Sequence, residues 1–236
     1  MLKDNKAIFN WSGGKDSALC LHKILQNKNF DIQFLFTTLN VRNKRISMHG
    51  VSEKLLNRQA ESINLPLKKL YLHKQTSMEI YQQKMSEVLS KIKADGIEYS
   101  IFGDIFLEDL RKYREAQLSK LGIKAEFPLW GQKTDKVAKT FIDKGFKAIL
   151  VSVDSRFLDQ SFAGRFYDES LLADLPDVVD PCGENGEFHT FVFDGPIFKN
   201  PILFEKGSIV YKEYKSPNKD NEDKNIGFWY CDLIET

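Results

Sequence analysis

Residues 9–20 read Phe-Asn-Trp-Ser-Gly-Gly-Lys-Asp-Ser-Ala-Leu-Cys, and the hexapeptide Ser12-Gly13-Gly14-Lys15-Asp16-Ser17 inside them constrains the fold more than any other stretch. A short apolar run, Ala7 to Asn10, precedes it, and Ala18, Leu21, Ile24 and Leu25 come after it at helical spacing, so the segment reads as strand, tight loop, helix. Consecutive glycines let backbone amides converge with no side chain in the way, forming a nest of N–H donors that suits an anion. A helix N-terminus behind the loop adds its own free amides and its dipole. Ser12 and Ser17 supply hydroxyl donors and Lys15 supplies charge. Asp16, out of place in a bare anion site, fits if a magnesium ion rides on the phosphates and takes a carboxylate oxygen. All six residues in this setting point to a phosphate cradle instead of an ordinary strand-to-helix turn. The loop is not a Walker A sequence, and neither that pattern nor Gly-x-Gly-x-x-Gly occurs in the chain.

Downstream of the loop, strand-like and helix-like segments alternate. Ile32 to Asn40 reads as a buried strand, 52–64 as a helix started by Ser52, 67–72 as a strand, and 77–96 as an amphipathic helix ended by Gly96. Tyr99 to Ile105 reads as another strand feeding a loop and a helix over 107–122. Strands alternating with helices predict an α/β fold, a parallel sheet with helices on both faces. Beyond a soft boundary near Lys124 the pattern changes. A strand and turn over 124–131, a helix over 134–146 and a buried strand over 147–154 lead into a region rich in Gly, Phe and β-branched residues. The end reads as a hairpin, 207–214 and 227–234, around a polar, solvated and mobile loop at 215–225. Two units are expected: 1–124, and a smaller α+β unit over 125–236.

Composition narrows the class. A chain of 236 residues with 42% hydrophobic content can bury a real core. Its start does not resemble a signal peptide and no run is long enough for a membrane span, so a cytoplasmic protein is expected. Lys plus Arg is 34 against 33 for Asp plus Glu, which gives no basic excess for binding nucleic acid. Cys20, Cys182 and Cys231 are widely spaced with no Cys-x-x-Cys pair, so they read as buried thiols and not as a disulfide framework or a metal site.

The loop resembles the pyrophosphate loop of the N-type ATP pyrophosphatases, part of the adenine nucleotide α-hydrolase-like superfamily. These enzymes cleave ATP between the α and β phosphates. Relatives thereby adenylate a substrate oxygen, and a nitrogen or sulfur nucleophile then displaces AMP. The paired Cys-x-x-Cys motifs of iron–sulfur thiolases and the Glu-Cys-Gly context of sulfonucleotide reductases are missing from these residues, and no glutaminase domain is expected. Present instead are three blocks: Phe102 to Glu115, Pro128 to Gly131, and Asp180 to Phe198, the last containing Cys-Gly-Glu-Asn-Gly-Glu-Phe-His-Thr. In this order they resemble the diphthine–ammonia ligase family, also called diphthamide synthase domain proteins, over about Ala7 to Phe198.

The resemblance implies a Rossmann-like, HUP-type ATP-binding domain followed by a family-specific substrate-binding domain. It implies a carbon–nitrogen ligase that joins a carboxylate to ammonium, with ATP as substrate and Mg2+ as cofactor, releasing AMP and pyrophosphate. The family's acceptor is diphthine, a modified histidine of elongation factor 2. Ser12, Gly13, Gly14, Lys15 and Ser17 would hold the phosphates and Asp16 the magnesium. Thr37, Thr38 and Leu39 would offer backbone contacts to adenine at the carboxyl edge of the sheet. Gly103 and Asp104 end another strand there, and Asp104 is a candidate for ribose, metal or substrate, or else a helix-capping acid. Glu184 and Glu187 are candidates to bind ammonium and take its proton. His189, Thr190 and Trp130 are candidate substrate contacts, although a histidine in an aromatic strand and a tryptophan beside Phe127 also suit plain packing. His49 is a lesser candidate for the nucleotide site, Arg111, Arg114 and Glu115 read as an exposed ion-paired face, and Cys182 reads as structural. Proven ligases read Gly-Glu-Gly-Gly-Glu and then Glu-Thr, where this chain has Gly183-Glu184-Asn185-Gly186-Glu187 and His189-Thr190. Two alternatives stay open: the same ATP cleavage with another acceptor, and a nucleotide-binding protein without turnover.

Overall fold

The computed structural model describes residues 5–46, 49–73, 76–215 and 225–236. In its first part, strands alternate with helices: β1 (Lys6–Asn10), α1 (Lys15–Asn27), β2 (Asp31–Asn40), α2 (Glu53–Ile63), β3 (Leu67–Leu72), α3 (Met78–Ala94), β4 (Tyr99–Ile101), α4 (Glu108–Ser119) and β5 (Lys124–Glu126). The five strands form one parallel sheet in the order β3-β2-β1-β4-β5. Alternation along β1 separates two cores, because successive side chains of a strand point to opposite faces. Ala7 and Phe9 join Leu21 and Ile24 of α1 and Leu55 and Leu56 of α2 on one face. Ile8 joins Leu89 and Ile92 of α3 and Leu118 of α4 on the other. The sheet therefore has helices on both faces, as the alternation predicts.

Local rules explain the helix starts. Ser52 caps α2 by accepting from Leu55 N at 3.3 Å, and Ser77 caps α3 in the same manner. One expectation needs correction. The strand read over Tyr99 to Ile105 is only Tyr99–Ile101, because Gly103 presses against the backbone of α1: a Cβ there would lie 3.1 Å from Asp16 C, Asp16 O and Ser17 N.

The second part holds α5 (Thr134–Asp143), β6 (Lys147–Asp154), α6 (Glu169–Asp174), β7 (Phe188–Asp194), β8 (Phe204–Lys215) and β9 (Asn225–Glu235). Its strands form a four-stranded antiparallel sheet in the order β7-β6-β9-β8, with β8 and β9 paired as the terminal hairpin. Most of the hairpin's expected loop, 216–224, lies outside the described residues. Phe141, Ile149 and Phe191 belong to the same buried cluster as Phe9 and Leu21, so one core is continuous between the two sheets.

Candidate functional site

In the parallel sheet β1 has β2 on one side and β4 on the other, so the chain order reverses at β1. Loops leaving strands on the two sides of such a point diverge and open a crevice at the carboxyl edge. Asn10 closes the floor of that crevice, donating from Nδ2 to Ser100 Oγ at 2.8 Å and Ile101 O at 2.9 Å. Above it lies a cavity of about 510 Å³, within the range of small-molecule sites.

The hexapeptide forms one wall. Ser12, Gly14, Lys15, Asp16 and Ser17 line the cavity. Gly13 lies behind them at φ +77°, a left-handed conformation that glycine adopts without strain. The loop is stitched to the second sheet. Lys15 N donates to Thr190 Oγ1 at 3.0 Å, so a β7 hydroxyl caps α1 across 175 residues. Val192 N donates to Gly13 O at 2.9 Å. Gln59 of α2, fully buried, donates from Nε2 to Gly13 O at 3.0 Å and Val192 O at 2.6 Å, while its Oε1 accepts from Trp11 Nε1 at 2.9 Å.

Lys15 turns inward. Its Nζ donates to both Asp16 carboxylate oxygens, at 2.9 and 2.7 Å, and to Cys182 O. Burial disfavours its charge, but Asp16, the Cys182 side and Glu184 outweigh that and raise its pKa. Burial also raises the pKa of Asp16, against the opposing pull of Lys15.

From the other side of the crevice, Gly103 and Asp104 line the cavity, and Asp104 is paired with Arg114 of α4. Burial is the main cause that raises the Asp104 pKa. Arg114, expected on an exposed helix face, instead lines the cavity with its guanidinium 4.3 Å from the Phe102 ring centroid. Thr37 and Thr38 line the β2 side, whereas Leu39 is buried in the core at 1% exposure.

Residues 180–190 close the site from the second part of the chain. Asp180 Oδ1 accepts from Cys182 N at 2.8 Å and Glu184 N at 3.3 Å, bending the segment into a turn. The turn places Glu184 on the cavity, where its Oε1 accepts from Ile105 N at 2.8 Å. Burial, then the charge of Asp16, push its pKa up to about 7. Glu187 does not share that surface. Its side chain points into the turn, where Oε1 accepts from Asp180 N at 3.1 Å and from Asn185 Nδ2 at 3.0 Å. His189 and Thr190 line the cavity, with His189 stacked on His49. Trp130 lies away from it, against Phe127 and under Arg111, whose guanidinium is 4.6 Å from the ring centroid. Cys182 is buried and its thiol pKa is raised, in keeping with a structural role.

Sequence reasoning missed Gln59 and gave Arg114 no part in the site. Gln59 did leave a signal. It falls on the apolar stripe of α2 with Leu55, Leu56 and Ala60, and a polar group on such a stripe must find partners inside.

Two family models match the chain: the diphthamide synthase N-terminal domain over residues 5–125 and the diphthamide synthase C-terminal domain over residues 133–218. A diphthine–ammonia ligase of Schizosaccharomyces pombe is 26% identical over 175 residues, which is 69% of this chain and 28% of that protein. A diphthine–ammonia ligase of Bos taurus is 27% identical over 134 residues, 54% of this chain and 50% of the relative. The aligned region thus spans half or less of these curated relatives. A solved tRNA thiolase from Methanococcus maripaludis overlaps 60% of this chain and 59% of its own at 17% identity and a TM-score of 0.35, too slight a likeness to carry an argument.

Proposed function

Because the chain belongs to the diphthamide synthase domain family, we propose that it is an ATP-dependent carbon–nitrogen ligase that activates a carboxylate as an acyl-adenylate and releases AMP and pyrophosphate. The observation that carries this reading is the cavity at the strand-order reversal, with the hexapeptide on one wall and Glu184 on the other. The loop would hold the β and γ phosphates, and Thr37 and Thr38 lie where the adenosine end would reach the edge of β2.

In the first step a carboxylate oxygen attacks the α-phosphorus in line and the bond to the β-phosphate oxygen breaks. This step needs positioning and charge neutralisation more than proton transfer. Bound magnesium would neutralise phosphate charge, and Asp16 on the cavity wall suits an ion that takes one or two carboxylates and otherwise phosphates and water. In the second step ammonia attacks the acyl carbon, a C–N bond forms, AMP leaves, and a proton must be removed from nitrogen. Glu184 is the group for that task. Its pKa of about 7 keeps a useful fraction ionised at neutral pH, and its bond from Ile105 N fixes the carboxylate on the cavity. Glu187 then acts by shaping the turn that carries Glu184. The acceptor proposed is the family's diphthine on elongation factor 2, with ammonium as co-substrate and the cytoplasm as location. Among the described residues no helix is long and apolar enough to cross a membrane.

The test is product analysis with labelled ATP, with and without ammonium, offering diphthine-bearing elongation factor 2 in one arm and a panel of small carboxylates in the other. Ammonium-dependent AMP and pyrophosphate support the reading, and the productive arm names the acceptor. Release of ADP and phosphate, or ATP binding with no turnover in either arm, would refute it.

A further inference from the structure

Two histidines border the phosphate loop and take no part in the chemistry above. His49, ahead of α2, and His189, in β7, lie ring on ring with centroids 4.3 Å apart and planes 22° from parallel, and both line the cavity. They flank the loop closely. A Cβ on Gly14 would sit 3.4 Å from His49 Cε1, and His189 directly precedes Thr190, whose hydroxyl accepts from Lys15 N. Nδ1 of His49 is buried with no partner among the described residues, and such a nitrogen calls for a ligand atom. Meanwhile the loop's own cation is occupied, with Lys15 Nζ held by Asp16 and Cys182 O.

We propose that the stacked pair His49 and His189 is a subsite for the phosphate chain of the nucleotide, in which one imidazole takes up a proton from solvent as the phosphate arrives. The proposal rests on the reading of the cavity as an ATP site. Without ligand both rings are neutral. Burial, reinforced by Lys15 and opposed by the nearby Thr190 backbone, lowers the His49 pKa to about 4. Burial, then His49, then Lys15, hold His189 well below the usual imidazole range. Of the other groups around the pair, Asp16 and Glu184 lie elsewhere on the cavity wall, and Tyr230 of β9 packs against neighbouring Gly50. A bound phosphate places negative charge beside rings on which Lys15 and the neighbouring ring now act, which favours imidazolium and turns a ring N–H toward a phosphate oxygen. Stacked this closely, the rings can carry one charge between them and not two.

The test is calorimetry of magnesium–ATP binding to the full chain in two buffers of different ionisation enthalpy, across about pH 6 to 8. Expected are net proton uptake that grows toward the acid end and an ATP Kd that rises about 5- to 10-fold toward the alkaline end, both lost in His49→Gln and in His189→Gln. A second measurement needs no variant. The chain has four histidines, so ring resonances can be followed with and without ATP, and one that does not titrate above about pH 5 in the free protein should titrate above about pH 6 with ATP bound. ATP binding with no proton uptake, or with uptake unchanged in both variants, overturns the proposal. Absence of ATP binding in the parent protein would instead overturn the ATP reading itself.

Discussion

Replacing Gln59 with leucine isolates what ties the hexapeptide to both sheets. Leucine roughly matches the volume, so the change removes polar partners and leaves little new cavity. Gly13 O keeps the donor from Val192 N, but Trp11 Nε1 loses its acceptor and Val192 O loses the Gln59 donor. Each buried polar group left without its partner costs about 1–3 kcal/mol, so the pair is expected to cost about 2–6 kcal/mol. For a chain of this size each kcal/mol lowers the melting temperature by about 2–4 °C, so a fall of about 4–24 °C is expected, toward the lower end if water reaches either group. The assay is thermal unfolding by circular dichroism, repeated with saturating magnesium–ATP. Loosening Gly13 should also weaken ATP, so the ligand-induced rise in melting temperature should shrink in the variant. A Gln59→Leu protein that melts within about 2 °C of the parent and is stabilised equally by ATP would refute the reasoning.

Other perturbations give separate tests. Gly103→Ala puts a Cβ 3.1 Å from the backbone of Asp16 and Ser17, so the loop must shift, and isothermal titration should show ATP affinity falling at least about 10-fold. Thr190→Val leaves Lys15 N without its acceptor and should cost about 0.5–2 kcal/mol in a denaturant melt, with Thr190→Ser recovering most of it. Glu184 has a folded pKa of about 7 against an ordinary glutamate value of 4.5, so its stabilising contribution is complete below about pH 4.5 and is lost as pH rises through about 7. Glu184→Gln should remove that loss and melt higher than the parent above about pH 7, while ammonium-dependent turnover collapses; equal pH dependence of the two melts would refute the assignment.

Much of the architecture is legible in local pattern. The strand–loop–helix setting of the hexapeptide, the Ser52 cap and the alternation into a parallel sheet all follow from short-range rules, and they put Ser12, Lys15, Asp16 and Asp104 on one edge. The failures share one physical origin. Glu184 and Glu187 are close in sequence, yet Asp180 and Gly183 bend the chain sharply around them, so one carboxylate meets the cavity and the other fills the turn. Arg114 leaves its expected setting for the same kind of reason, while Trp130 takes the packing reading and not the substrate one. On α4, Arg114 lies against Phe102 and reaches the cavity, while Arg111, about one helical turn earlier, covers Trp130 and Phe127 and keeps them in the packing. Such orientation depends on tertiary contacts and leaves no spacing to read.

The bonds from the second sheet change what the hexapeptide means. A strand–loop–helix unit alone would present its amides to an anion, but here Lys15 N, Lys15 Nζ and Gly13 O all have partners between residues 182 and 192. The segment that carries Glu184 is therefore held in register with the hexapeptide by the same residues that line the cavity. Lys15 Nζ donates to Cys182 O, two residues from Glu184, so the cation of the hexapeptide touches the segment that carries the carboxylate. The loop wall of the cavity and Glu184 are thereby joined through one side chain and its backbone partner. The motif supplies the donors; the second part of the chain supplies their partners.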